Sequence, residues 1–416
     1  MRTWLCLSIS VLLLPLFPAA GIVGLLVVLI KVWHGHYRQI IAERLNQGWV
    51  ILAGLLIISS AFAARPQESW LGLANFLPFF ALFMALRVLI RKPVQLRQLS
   101  WLLIFPSLPI VMLGFGQLYA AWETPAIIES ILGWKLVSQG VPQGRMSAVF
   151  INSNFLAIYL TIAFALTLGL WLEIWQSWQQ KSTTKHAYVV LALLSLILLF
   201  DFGGLVLTSS RNAWGLSLII LVAYAIYLGW RYCLWIAGIA TTVILWIFFA
   251  PNSDSTQLRQ IVPAFIWLRL SSQSYSSVSI EKLRLTQWQF CWDLIEQRPL
   301  LGWGLRNFSP IYQSKTNFWL GHPHNLFLML GAETGIISTL LLMAIVGSIM
   351  TQATILFINW SDSNFKPIFF SYLVAFASCI LFNLTDVSIF DLRVNTTIWI
   401  LLSAISGVVA ESTKPS

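Results

Sequence analysis

The sequence predicts an all-α polytopic membrane protein with about twelve transmembrane helices and one large periplasmic loop that contains short helices. Three observations carry this. The chain is 58% hydrophobic, with a mean hydropathy of +0.79. Only 10% of its 416 residues are charged, where a soluble domain carries about 25%. Apolar runs recur from end to end, and a span needs ~20 apolar residues. Alternating strands of the barrel type are absent. The formal net charge is +10. Much of it falls in short loops, where it sets orientation in a lipid bilayer rather than marking a nucleic-acid partner.

Taken in order, the apolar runs centre on residues 4–17, 19–33, 48–64, 70–90, 99–120, 148–172, 187–207, 213–229, 232–250, 326–357, 367–385 and 394–411. The first two are short and parted by Pro15 and Pro18. They read either as two thin spans or as one broken helix; as two, the total is twelve. No small-residue cleavage site followed by a soluble domain appears, so the first run reads as an anchor. Lysines and arginines sort the loops. The 31–46, 87–98, 173–186, 230–232 and 358–366 segments carry Lys31, Arg38, Arg44, Arg87, Arg91, Lys92, Arg97, Lys181, Lys185, Arg231 and Lys366. They alternate with the remaining loops and read as cytoplasmic. Both termini then come out cytoplasmic, with Arg2 and Lys414 agreeing. The chain divides into residues 1–250 with nine spans, a periplasmic loop over 251–323, and residues 324–416 with the last three spans, all one integrated membrane domain.

A loop as long as 251–323 inside a compact protein is usually functional. It holds seven basic residues (Arg259, Arg269, Lys282, Arg284, Arg298, Arg306, Lys315) against four acidic ones (Asp254, Glu281, Asp293, Glu296). Residues 280–297 lack Gly and Pro and predict a helix. Arg284, Trp288, Cys291 and Ile295 share one face of it. Arg298-Pro299 ends it, and Gly302-Trp303-Gly304 makes a tight turn.

His322 and His324 stand where this loop enters an apolar run. His324 reads as a general base for an incoming hydroxyl, or as a cap on the helix that follows, a role Asn325 or His322 can share. Arg211, in a very short outer turn, reads as a phosphate-directed guanidinium or as a lipid-headgroup anchor. Arg284 reads as a phosphate ligand or as half of an ion pair with Glu281. Arg298 and Arg306 are surface charges or phosphate contacts. Arg145, with Asn152 and Asn154 beyond it, sits near the outer end of a span, where asparagines line cavities or bond between helices. Glu333, Asp201, Asp386, Asp391 and Arg393 are costly in or beside spans unless paired or facing a cavity.

The four cysteines, Cys6, Cys233, Cys291 and Cys379, lack metal-ligand spacing and form no disulfide framework. There is no P-loop, no dinucleotide fingerprint and no paired acidic motif for Mg²⁺. Neither cofactor nor metal is expected.

These elements together resemble the O-antigen ligase and polymerase superfamily of bacterial membrane proteins. The resemblance rests on Ser210-Arg211 in an outer turn and on Arg284 leading into residues 298–304. It continues with Pro323-His324-Asn325, Glu333-Thr334-Gly335 and residues 390–395, and Asn152-Ser153-Asn154 fits as well. It covers roughly residues 145–400. It implies a multi-pass, GT-C-like glycosyltransferase of the bacterial inner membrane that needs no metal. Such an enzyme inverts the anomeric centre as it moves a glycan from undecaprenyl diphosphate to a glycan or lipid-A-core hydroxyl at the periplasmic face. It implies His324, Arg211 and Arg284 as catalytic residues. Arg145, Asn154, Arg298, Arg306, His322 and Glu333 are candidates for substrate binding. The alternative readings are a membrane transporter, for example of inorganic carbon, and a non-catalytic membrane protein.

Overall fold

In the computed structural model of the protein the described residues are 2–180, 185–232, 235, 238–239, 242, 283–360 and 365–413. All named elements among them are helical. They run α1 (Arg2–Leu13), α2 (Pro18–Ala42), α3 (Arg44–Ala61), α4 (Pro66–Gly72), a 3-10 turn (Leu73–Asn75), α5 (Leu77–Leu89), α6 (Pro93–Ile104), α7 (Ser107–Tyr119) and α8 (Ala126–Leu132). Then follow α9 (Ser153–Gln180), α10 (Lys185–Leu207), α11 (Arg211–Leu228), α12 (Arg284–Gln297), α13 (Phe308–Thr316), α14 (Leu326–Asn359), α15 (Lys366–Asn383) and α16 (Leu392–Ser412). Prolines open α2, α4, α6 and α15, at positions where the missing N–H costs nothing.

Ten helical segments among the described residues are long and apolar enough to cross a membrane. They match ten of the twelve expected runs and make the chain an all-α polytopic membrane protein. The other two runs differ. The first is the 12-residue α1, a rod of about 18 Å. It folds back on α2, where Gly21 and Gly24 let the backbones close against Leu14 and Ser10. The first two runs are therefore two helices, of which α1 alone is too short for a full span. The run at 232–250, Cys233 with it, lies outside the described residues, as do Asp254, Arg259, Arg269, Glu281 and Lys282. The 31–46 segment expected as a loop is mostly helix: α2 continues to Ala42 through a break at His36, and α3 starts at Arg44.

The most buried spans are α9 and α16. α9 packs against α10 and α15, and α16 against α5. Trp49, Phe80, Phe83 and Trp399 lock α3, α5 and α16 through ring contacts of 4.9–6.3 Å between centroids.

α14 is broken at Gly335 (φ 82°), and the loop after α12 docks into the break. Gly302 also adopts a positive φ, of 67°, and a Cβ there would strike the Glu333 carbonyl group. The backbone groups freed at the break find partners in this loop: Trp303 N donates to Ala332 O, Gly304 N to Glu333 O, and Ile336 N to Pro299 O. This seam fixes α12 and the turn at 302–304 to the N-terminal part of α14.

Candidate active site

The helix expected over residues 280–297 is present, among the described residues, as α12 (Arg284–Gln297), and Arg298 ends it as read from the sequence. Cys291 and Ile295 face inward, while Arg284 at its start is exposed. Trp288, on the same face, donates its indole N–H to Pro323 O at 3.0 Å. That bond ties α12 to the His322-Pro323-His324 segment. Arg284 is close enough for its charge to act on His322.

The cap of α14 is Asn325, whose side chain accepts from Leu328 N at 3.0 Å. His324 is thereby released from the capping role. It takes a left-handed backbone conformation (φ 54°), uncommon for a non-glycine residue and frequent at functional sites. Its Nδ1 lies 3.2 Å from Asp386 Oδ1. His322 Nε2 lies 3.8 Å from the same oxygen, and His322 Nδ1 accepts from His324 N at 3.3 Å. The two imidazole rings meet edge to face with centroids 4.5 Å apart.

Asp386 sits in the turn between α15 and α16. Val387 N donates to its Oδ1 at 2.9 Å, and Asn154 Nδ2 to its Oδ2 at 2.6 Å. Burial pushes the carboxyl pKa up, but the hydrogen bond from His324, the charges of both imidazoles and the Val387 N–H outweigh it and hold the group below its ordinary value. His322 moves in the neutral direction. Burial lowers its pKa to about 4; Asp386 opposes the shift, and the charges of His324 and Arg284 add to it. At neutral pH the cluster is therefore an ionised carboxylate beside a neutral His322. His324 turns Nδ1 toward this carboxylate, so a ring proton on Nδ1 is the tautomer that completes the hydrogen bond, with Nε2 the nitrogen turned away from it.

The network continues away from His324. Asn154 Oδ1 accepts from an Arg145 guanidinium nitrogen at 2.8 Å, and Arg145 Nε donates to Thr208 O at 2.8 Å. Thr208 precedes the turn that carries Arg211, which is the exposed first residue of α11. The next residue, Asn212, donates to Phe382 O at 3.1 Å, and the Asp386 backbone N–H uses the same carbonyl at 3.0 Å. The 208–212 turn and the Asp386 turn are thus neighbours. Arg145 and Asn154 act in this structure as the bracket between them. Asn152 caps α9 by accepting from Asn154 N and Phe155 N.

His322 and His324 form part of the wall of a partly open cavity of about 880 Å³. Arg65, Asn75, Arg306, Gln313, Trp319 and Phe390 also line it. The volume suits a few sugar rings, and Trp319, 65% exposed, offers a flat apolar face. Arg306 is on this wall with Nε 3.6 Å from Glu68. Glu333 is on the floor, its carboxylate accepting from the backbone of Phe308 and Arg306. Arg298 is elsewhere, stacked 4.2 Å over the Trp303 ring.

Sequence reasoning marked Asp386 as costly without naming its partner. The signal is that an acid at the end of a span needs a counter-group, and the histidine pair, itself at the start of a span, is one such group. Arg65 and Trp319 carried no local signal, because their place on the cavity wall depends on how α4 and the 317–321 loop pack.

Residues 194–343 match the family model described as O-antigen ligase. The matched segment contains Arg211, Arg284, His322, His324 and Glu333, while Arg145, Asn154 and Asp386 lie outside it. No curated protein matches the chain. The match supports the O-antigen ligase and polymerase family for this chain.

Proposed function

We propose that this member of the O-antigen ligase and polymerase family transfers a glycan from an undecaprenyl-diphosphate-linked donor to a hydroxyl acceptor at the periplasmic face of the bacterial inner membrane. The reading rests above all on one observation: an imidazole held through Nδ1 by a buried carboxylate, on the wall of a cavity that accommodates sugar rings. In the proposed reaction the acceptor oxygen attacks the anomeric carbon. The bond from that carbon to the diphosphate oxygen breaks, and undecaprenyl diphosphate leaves. The acceptor's proton passes to His324 Nε2, and direct displacement inverts the anomeric centre. Asp386 holds the tautomer and stabilises the imidazolium as it forms, the part a carboxylate plays beside a catalytic histidine.

Departure of the diphosphate builds negative charge, and no metal is assigned to offset it. Arg211 and Arg284, both exposed, are the proposed counter-charges; a guanidinium suits phosphate by its two-pronged geometry. The acceptor, either a lipid-A core or a second lipid-linked glycan, is assigned to the cavity with Trp319 and Arg306.

The test is the glycan ladder of a deletion strain complemented with His324→Ala or Arg211→Ala. Each variant is expected to insert normally and lose the ladder. Normal ladders from both would overturn the assignment, and saturable uptake of labelled bicarbonate by liposomes carrying the purified protein would favour transport instead.

A further inference from the structure

We propose that His322, His324 and Asp386 form a binding site for one late first-row divalent cation, Zn²⁺ above all, and that the bound ion blocks transfer. The three groups come from two segments 62 residues apart in the chain. Their ligand atoms, His322 Nε2, His324 Nδ1 and Asp386 Oδ1, all lie within 4.8 Å of one another. Ligands at ~2.0–2.2 Å from a tetrahedral Zn²⁺ stand about 3.4 Å apart. The 3.2 Å and 3.8 Å separations from the carboxylate oxygen are already close to that spacing, and the two ring nitrogens, within 4.8 Å of each other, have at most about 1.4 Å to close.

The donor set decides the class of ion. Two imidazole nitrogens and one carboxylate oxygen suit Zn²⁺, Co²⁺, Ni²⁺ or Cu²⁺, whereas Mg²⁺ and Ca²⁺ take oxygen sets. Three protein ligands leave a fourth position for water from the cavity. The carboxylate is aimed in advance: Asn154 holds Oδ2, and Val387 N holds Oδ1. Outer partners of this kind tighten metal sites. Two features oppose binding. Arg284 places a positive charge near His322. His322 must also move its ring proton from Nε2 to Nδ1, which gives up the long 3.3 Å bond from His324 N. One weak hydrogen bond is a small loss against three coordinate bonds.

The blocking effect follows from the tautomer and rests on the proposed function. Ligated at Nδ1, a neutral His324 carries its proton on Nε2 and has no lone pair there for the acceptor's proton. The ion is thus an inhibitor of a reaction that proceeds without it.

The experiment uses the full-length protein in nanodiscs, without donor or acceptor. CoCl₂ is titrated while the visible bands of tetrahedral Co²⁺ are recorded, and ZnCl₂ is then added to displace it. One Co²⁺ per chain is expected, with affinity at least tenfold weaker in His322→Ala and in Asp386→Asn. A His34→Ala/His36→Ala double variant, altered at two exposed histidines of α2, is expected to bind as the wild type does. Should Asp386→Asn fail to fold by gel filtration, His322→Ala alone decides. Absence of tetrahedral Co²⁺, or equal binding in His322→Ala, overturns the site. Transfer is then measured at saturating Zn²⁺ and is expected to stop. Undiminished transfer at full occupancy would leave the ion site standing and overturn the role given to His324 Nε2.

Discussion

Two carboxylates five residues apart, Asp386 and Asp391, stand in the same turn between α15 and α16, and both are buried. Their surroundings differ. Asp391 is closed: it caps α16 by accepting from Arg393 N and Val394 N, and it takes the Arg393 guanidinium through two further bonds. Arg393 spends its remaining reach on Val149 O at 2.8 Å and on the face of Phe150 at 4.1 Å. Asp386 is open on one side. Its protein partners end in His324, whose side chain is 29% exposed and faces the cavity. A closed ion pair fixes where the turn sits. An open one leaves a titratable group available to an incoming molecule. Position in the sequence does not separate the two, but the fate of the last hydrogen-bonding atom does.

The sharpest break between them is expected from Arg393→Met. It strands a buried carboxylate and should destabilise the protein by about 3–5 kcal/mol. Thermal unfolding in detergent reads this, while transfer per folded molecule stays within about threefold because Arg393 does not touch the cavity. Asp386→Asn should do the converse. The amide keeps the shape but holds the His324 tautomer poorly, so kcat is expected to fall about 10²-fold with KM little changed. Parallel losses of stability and rate in both variants would erase the distinction.

The smallest effect is one of pH. His322 has its pKa lowered on folding from 6.5 to about 4, so the unfolded chain binds the extra proton. Its contribution to stability is whole above pH 6.5 and declines as pH falls toward 4. Going from pH 7 to 5.5 should cost about 1 kcal/mol. Asp386, shifted downward as an acid, loses its contribution only at lower pH and adds nothing in this window. His322→Gln should flatten the decline seen by thermal unfolding between those two values. An unchanged slope would show that His322 is not held neutral.

Much of this was legible in the chain. Hydropathy alone located ten of the spans, and the absence of Gly and Pro over 280–297 marked the helix seen as α12 over 284–297. Arg298-Pro299 and the glycines at 302 and 304 announced the turn, though not its purpose. That turn fills a break at Gly335, and a break in one helix has no local mark on the segment that repairs it. The histidine pair was conspicuous because an imidazole at a span mouth is an uneconomical structural choice. Its partner was not, because Asp386 meets His324 only once α15 and α16 have packed beside α9 and α14. Arg145 and Asn154 read as possible ligands; folded, they hold the 208–212 turn beside the Asp386 turn. The length of α1 is not legible in the chain, since Pro15 and Pro18 announce a break but not how much helix lies before it.

The most direct measurement is transfer by purified protein in nanodiscs, with a synthetic prenyl-diphosphate-linked sugar as donor and a chelator present. Wild type and His324→Ala are compared at equal folded concentration. The account predicts turnover by the wild type and a loss of at least about 10²-fold in the variant, with donor binding retained. Turnover by His324→Ala at the wild-type rate would contradict it.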